Sequence, residues 1–213
     1  MQEPGSATHD LETSVEKRRK VGVFIDAQSL FTSALGVGAA RLEYTKARPD
    51  YVEIVDQVED YLSEEFGLEG YTISVCNVYT TSKGYPNALG KMLRATGIEL
   101  KVLTGKKAYM NCKACGHWQS DDWDVGITAD ILFGLLAAKE FSSVILVSCD
   151  KVWGTFLLRL AGGGTWCRVF GYEGAMARRL HPFAVQLTDE CIYDATASLM
   201  GFVRDKTGAQ PAS

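Results

Sequence analysis

No apolar run in this sequence approaches the roughly 18 residues that a membrane-crossing helix needs, so a membrane protein is not expected. The first twenty residues, MQEPGSATHDLETSVEKRRK, are polar and mixed in charge and lack the apolar core of a secretory signal. Residues 1–19 therefore read as a disordered leader, and the closing DKTGAQPAS, residues 205–213, as a tail of the same kind. With no export signal the expected location is cytoplasmic, and the six cysteines are expected as reduced thiols or metal ligands rather than disulfides. Charge of one sign is also scarce. Twenty-two basic residues face 26 acidic ones, a net charge of −4, which excludes a surface basic all over but not a local basic strip. No internal repeat or low-complexity tract interrupts the domain, and no tight hairpin dipeptide joins successive main strands.

What is present is ordinary in amount and specific in order. Apolar residues make up 46% and charged residues 23%, the composition of a globular protein with a sizeable core. Short apolar runs alternate with helical patterns. VGVFI precedes a short helix near AQSLFTSAL, and a Gly-, Ala- and Arg-rich loop leads to DYVEIVDQVEDYLSEEF, where Tyr51, Val55, Val58, Leu62 and Phe66 form a helical stripe. YTISVCNVY, a helix near PNALGKMLRAT and IELKVLT follow. Beyond an irregular insertion come a long helix, DVGITADILFGLLAAKE, and the strand SSVILVS. A helix at VWGTFLLRLAG, the strand TWCRVFGY and a last helix near DATASLMGFV complete the order. This alternation implies βαβ units: one α/β domain over residues 20–204, with a mainly parallel central sheet and helices on both faces.

Function in such sheets gathers beyond the carboxyl ends of the strands, and two strands end there on aspartate, VFID at Asp26 and ILVSCD at Asp150. Between them, DDWDVGITAD contributes Asp121, Asp122, Asp124 and Asp130. Asp124 sits near the start of the long helix, and Asp130, six residues on, lies about a third of a turn away around its axis. Singly, Asp124 reads equally well as a helix N-cap and Asp150 as a turn opener. Together the carboxylates would repel one another without a divalent cation, and oxygen-only ligands favour Mg²⁺ or Mn²⁺. Such a site activates water and steadies charge on a phosphodiester.

These three blocks, VFIDAQSL, DDWDVGITADIL and LVSCDKVWGTFL, resemble in order and spacing those of NYN-domain proteins, a branch of the PIN-like nucleases. The resemblance spans roughly residues 20–195. It implies a PIN-like (Rossmann-like) fold and a Mg²⁺- or Mn²⁺-dependent endoribonuclease acting on single-stranded or structured RNA. Asp26, Asp124, Asp130 and Asp150 then hold the catalytic positions, with Asp26, Asp124 and Asp150 on the metal. Gln28 stands where the family often has Asn, and Asp121 stands at its lysine position. In the third block Cys149 replaces Gly, Lys151 replaces Ser and Val152 replaces a second Asp. The lost carboxylate favours one metal over two. It also motivates an alternative: a catalytically weakened module that binds RNA or a protein partner without cutting. A strand-end Asp also opens haloacid-dehalogenase-type phosphatases, but their second Asp would fall at Gln28.

The insertion, residues 106–120, carries Cys112 and Cys115 at CxxC spacing, followed by Gly116 and His117. This is half of a zinc ribbon, a turn that points two thiolates at one metal. No second CxxC follows, so a structural zinc would take His117 third and a fourth ligand from another cysteine or a second subunit, which leaves a homodimer as one option. A metal-free reduced pair and a redox dithiol are the other readings; the latter lacks the adjoining helix that lowers a thiol pKa. NYN relatives resemble this sequence here too, carrying a similar pair ahead of the acidic block. Cys76, Cys167 and Cys191 read as small core residues, and His181 as a loop residue. Positive charge to hold phosphates would come from Lys106 and Lys107 and from Lys151 beside the aspartates, with the neutral Gln28 as a further substrate contact. Lys83, Lys91, Arg94, Arg178 and Arg179 are further candidates. Tyr79, Tyr85, Trp118 and Trp123 are candidates for stacking on bases, against the plainer expectation of core or solvated surface.

Overall fold

The computed structural model describes residues 18–81, 93–103, 110–111, 118–119 and 122–196. In chain order the elements are β1 (Arg19–Asp26), α1 (Ala27–Arg41), β2 (Ala47–Pro49), α2 (Tyr51–Phe66), β3 (Tyr71–Thr81) and β4 (Glu99–Leu103). The two-residue strands β5 (Met110–Asn111) and β6 (Trp118–Gln119) follow. Next is α3 (Asp122–Leu132), which continues as a π-helical stretch, Phe133–Ala138. After β7 (Ser143–Val147), α4 (Trp153–Gly162) and β8 (Trp166–Tyr172), a 3₁₀ turn over Arg178–Phe183 leads into β9 (Ala184–Leu187). A second 3₁₀ turn, Asp189–Cys191, precedes β10 (Ile192–Asp194).

The main sheet has six strands in the order β4-β3-β1-β7-β8-β9, and every neighbouring pair in it is parallel. Strand β1 lies at its centre and is buried from Val21 to Asp26. Val21, Val23 and Ile25 face one core with Leu30 and Ala34 of α1 and Ile54, Val58 and Leu62 of α2. Phe24 faces the other with Ile127 and Ile131 of α3 and Trp153 and Leu157 of α4. A strand covered on both faces must be apolar at successive positions, which is why VGVFI reads as a continuous run. Each such buried side chain contributes about 1.5–3 kcal/mol.

Helix α2 is delimited by local chemistry. Asp50 Oδ1 accepts the N–H groups of Val52 and Glu53 at 3.1 and 3.2 Å, an N-cap, and Gly67 ends the helix at φ 77°, a conformation that favours glycine. Helix α1 runs longer than the sequence suggests, to Arg41, and the expected loop contains the short strand β2, paired antiparallel with β10. Glycine makes this possible. A Cβ on Gly38 would stand 2.3 Å from the Cβ of Ala47, so only the bare backbone lets β2 lie against the helix. Strand β10 ends at Asp194, residues 195–196 are helical, and the rest of the last expected helix lies outside the described residues.

Candidate active site

From β1 the chain moves to one side through β3 and β4, then returns to the other side through β7, β8 and β9. The direction reverses between β1 and β7. Connections leaving these adjacent strands diverge, and a crevice opens above their carboxyl ends. Asp26 stands at the end of β1 and Asp150 three residues beyond the end of β7. A cleft of about 310 Å³ is lined here by Asp26, Gln28, Ser29, Asp124, Cys149 and Asp150, with Thr32 and Ser33 on the wall that α1 provides.

Asp26 is its floor, only 7% exposed. It is extended and caps α1: Oδ1 accepts the backbone N–H of Ser29 at 3.1 Å. The Ser148 hydroxyl donates to Oδ2 at 3.0 Å, and Ser148 Oγ accepts the N–H of Asp150 at 3.2 Å. The Cys149 N–H donates to Ser29 Oγ at 3.0 Å. Two serines thus lace the end of β1 to the end of β7 and fix both carboxylates in one frame. Burial raises the Asp26 pKa above its ordinary value, and the neighbouring Asp150 charge adds to the rise. Ser29, Ser148 and the Trp153 side chain oppose it. The Trp153 indole N–H nevertheless makes no formed hydrogen bond.

Asp150 is exposed at the rim. Its Oδ1 accepts the Val152 N–H at 3.1 Å, so it opens a turn as well as lining the cleft. Asp124 is within the first turn of α3, inside the helix rather than at its cap, and faces the same cleft. Asp130 is engaged elsewhere: its Oδ2 accepts from the Tyr79 hydroxyl at 2.8 Å and pairs with Lys101 Nζ at 2.9 Å. It does not line the cleft. The six-residue separation turns it toward the β3–β4 side of the sheet.

Gln28 is exposed on the cleft wall, and Lys151 is exposed beside Asp150 without lining it. Tyr79, a candidate for base stacking, is fully buried against Phe24 with its hydroxyl committed to Asp130, so it is unavailable for that role. Arg94, Arg178 and Arg179 are exposed. The Ala177 N–H donates to the Cys149 carbonyl at 3.2 Å, which docks the start of the Arg178–Arg179 segment on the strand end that carries the cleft. Cys112, Cys115, His117, Lys83, Lys91, Tyr85, Lys106, Lys107 and Asp121 lie outside the described residues. Strands β5 and β6, which flank positions 112–117, pair antiparallel. Burial pushes the Cys76 and Cys191 thiols up to about 12, as befits inert core residues, and it raises Cys149 as well.

Sequence reasoning missed Ser29, Ser148 and Trp153. Ser29, three residues after a strand-end Asp, and Ser148, two before the other, were visible as short polar side chains at apolar boundaries. Nothing local marked Trp153, because an indole in an apolar helix reads as packing.

No curated protein matches the sequence. A solved structure of a Vibrio parahaemolyticus protein of unknown function superposes with a TM-score of 0.60 at 19% identity, covering 83% of this chain and 97% of that one, and so shares its fold. A Staphylococcus aureus homoserine dehydrogenase overlays at a TM-score of 0.31 and 10% identity, covering 73% of this chain and 26% of that one, too loosely to carry an argument. The NYN domain profile matches residues 20–190. Nucleases of this kind are generally RNA-associated and use divalent metals. With the match running from β1 through the whole parallel sheet, and with both strand-end aspartates inside it, the chain belongs to the NYN domain family.

Proposed function

We propose that the chain is a divalent-metal-dependent endoribonuclease that hydrolyses RNA phosphodiester bonds in this cleft. One observation carries the reading: a buried carboxylate, Asp26, and two further ones, Asp124 and Asp150, line one cleft at the reversal point of the sheet. The donor chemistry fits Mg²⁺ or Mn²⁺. Among the described residues no three His, Cys, Asp or Glu side chains converge to hold a metal. That suits an ion taken by one or two carboxylates, with water and substrate oxygens completing its shell. When bound, such an ion supplies neutralising charge and a more acidic water.

The chain's own residues do the rest. Ser29 and Ser148 hold Asp26 in a fixed orientation, and the Val152 N–H holds Asp150. Gln28 on the cleft wall and the exposed Lys151 next to Asp150 are the proposed contacts for substrate phosphates, with Arg178 and Arg179 on the adjoining segment. Lys106 and Lys107 join them as proposed phosphate contacts. Asp130 is assigned to its ion pair rather than to chemistry.

Labelled single-stranded and structured RNAs, incubated with the protein in Mg²⁺ or Mn²⁺ beside Asp26→Asn, test the reading. Cleavage that requires both the cation and Asp26 supports it. The second reading, an RNA- or protein-binding module without cleavage, rests on Val152, an apolar side chain 46% exposed where a further carboxylate would otherwise stand. RNA binding without metal-dependent cutting would select it. We also propose a structural zinc at Cys112 and Cys115, with His117 third and a cysteine or second subunit fourth; metal analysis of protein purified without chelator decides this. Free thiols at Cys76, Cys149, Cys167 and Cys191 fit a reducing, cytoplasmic setting. No described helix is long and apolar enough to cross a membrane.

A further inference from the structure

Helix α3 and its π-helical continuation turn apolar side chains both inward and outward. Inward, Ile127 and Ile131 pack on Phe24 and Val144, and Gly134 lies against the Phe141 ring. Outward, every exposed position from Val125 to Ala137 is apolar: Val125, Ala129, Leu132, Phe133, Leu136 and Ala137. Val125, Phe133 and Leu136 are 65%, 63% and 72% exposed. A surface helix ordinarily carries polar or charged residues on its outer side, and one that is apolar all round belongs in an interior. Single exposed apolar residues are normal, but this is a continuous stripe of about 400–500 Å², as large as the biggest apolar patch of most monomers.

The spacing of the stripe says what fits it. Val125, Ala129, Leu132 and Leu136 recur at intervals of four, three and four, the seam of a helix that packs along another helix. The series is also its own complement under a two-fold axis. Laid antiparallel on a copy of itself, Val125 meets Leu136 and Ala129 meets Leu132, so a smaller side chain faces a larger one in each layer. An isologous contact requires this reciprocal pairing. Charge agrees with it. The helix opens on DWD, residues 122–124, and Lys139 follows its last turn. The same register sets Lys139 against residue 122, and antiparallel macrodipoles attract. The end of the described chain lies elsewhere. The Ala195 N–H donates to the Lys46 carbonyl at 3.1 Å and the Thr196 hydroxyl meets that of Thr45 at 3.2 Å, on the α1 face of the sheet and opposite α3.

We propose that the outer face of α3 is the interface of a homodimer, covered by the α3 of a second copy that runs antiparallel to it about a two-fold axis. The inference is independent of the nuclease reading. Two such faces bury roughly 800–1,000 Å² in all, the low end of specific interfaces, so the dimer dissociates in the micromolar range. The helix axes approach to about 8–10 Å, which the small side chains of Ala129 and Ala137 permit. Asp124 lines the cleft from the first turn of α3, so the pairing brings Lys139 of the partner subunit alongside that turn.

Sedimentation equilibrium of the full chain, over a series from low to high micromolar concentration, tests the inference. Wild type should pass from monomer to dimer as concentration rises. Leu136→Glu and Val125→Lys should each weaken association about tenfold or more. Both positions are exposed, so the variants keep the fold, which circular dichroism checks. An equimolar mixture of the two variants should recover dimers, because the introduced lysine meets the introduced glutamate across an antiparallel seam. Parallel pairing sets position 125 against 125 and 136 against 136, and gives no such pair. A wild type that stays monomeric throughout, whether the chain's own tail or another macromolecule covers the face, overturns the inference. So does a Leu136→Glu variant that dimerises like wild type, or a mixture of the two variants that stays monomeric.

Discussion

Replacing Asp26 with asparagine should make the metal-free protein more stable at neutral pH while removing its proposed activity. Asp26 is 7% exposed, and burial raises its pKa above the ordinary 3.8, with the Asp150 charge adding to the rise. The ionised form is thus disfavoured in the folded chain relative to the unfolded one. The stability this group allows is fully present below pH 3.8 and declines as pH rises through the folded pKa. Asparagine has no charge to bury and caps a helix about as well as aspartate, so its Oδ1 can keep the Ser29 N–H, while the Ser148 hydroxyl can turn to accept. The gain at pH 7 should be about 1 kcal/mol, in the range found when a functional strain is relieved. For a chain of this size that is a rise in Tm of roughly 2–4 °C. Thermal unfolding in EDTA of wild type and Asp26→Asn, at intervals from pH 4 to 8, measures it. The gap in Tm should open with rising pH and then level off. A variant less stable than wild type at pH 7 would mean that the hydrogen bonds of the carboxylate outweigh its desolvation, and the argument would fail.

Three further outcomes follow from specific contacts. Ser148→Ala removes the donor to Asp26 and the acceptor for the Asp150 N–H, and should lower RNA cleavage by about 10- to 100-fold, measured at saturating Mn²⁺. Asp130→Asn breaks a half-exposed ion pair with Lys101, so it should cost no more than about 1 kcal/mol in urea unfolding and retain most cleavage activity, in contrast to Asp26→Asn. Gly134→Ala would set a Cβ 2.2 Å from the Phe141 ring, and this overpacking should lower stability by about 1–3 kcal/mol in the same titration.

The sequence by itself determined the parallel sheet and the two strand-end aspartates that line the cleft. A strand buried on both faces has to be apolar at successive positions, so VGVFI and SSVILVS were legible, and the charge ending each run was legible as an exception to it. Tertiary structure alone decided which of the other aspartates join them. Asp124 and Asp130 share a helix, yet one faces the cleft and the other an ion pair, because the rotation of α3 over the sheet is fixed by Ile127 and Ile131 packing on Phe24 and Val144. Tyr79 was chemically suited to stacking on a base and is instead core, since its register on β3 points it inward. Ser29, Ser148 and Trp153 come from separate strand and helix ends that meet only where the chain reverses direction across the sheet. Hydrogen bonds between residues more than a hundred positions apart leave no periodic trace in the sequence, and these set the frame of the cleft.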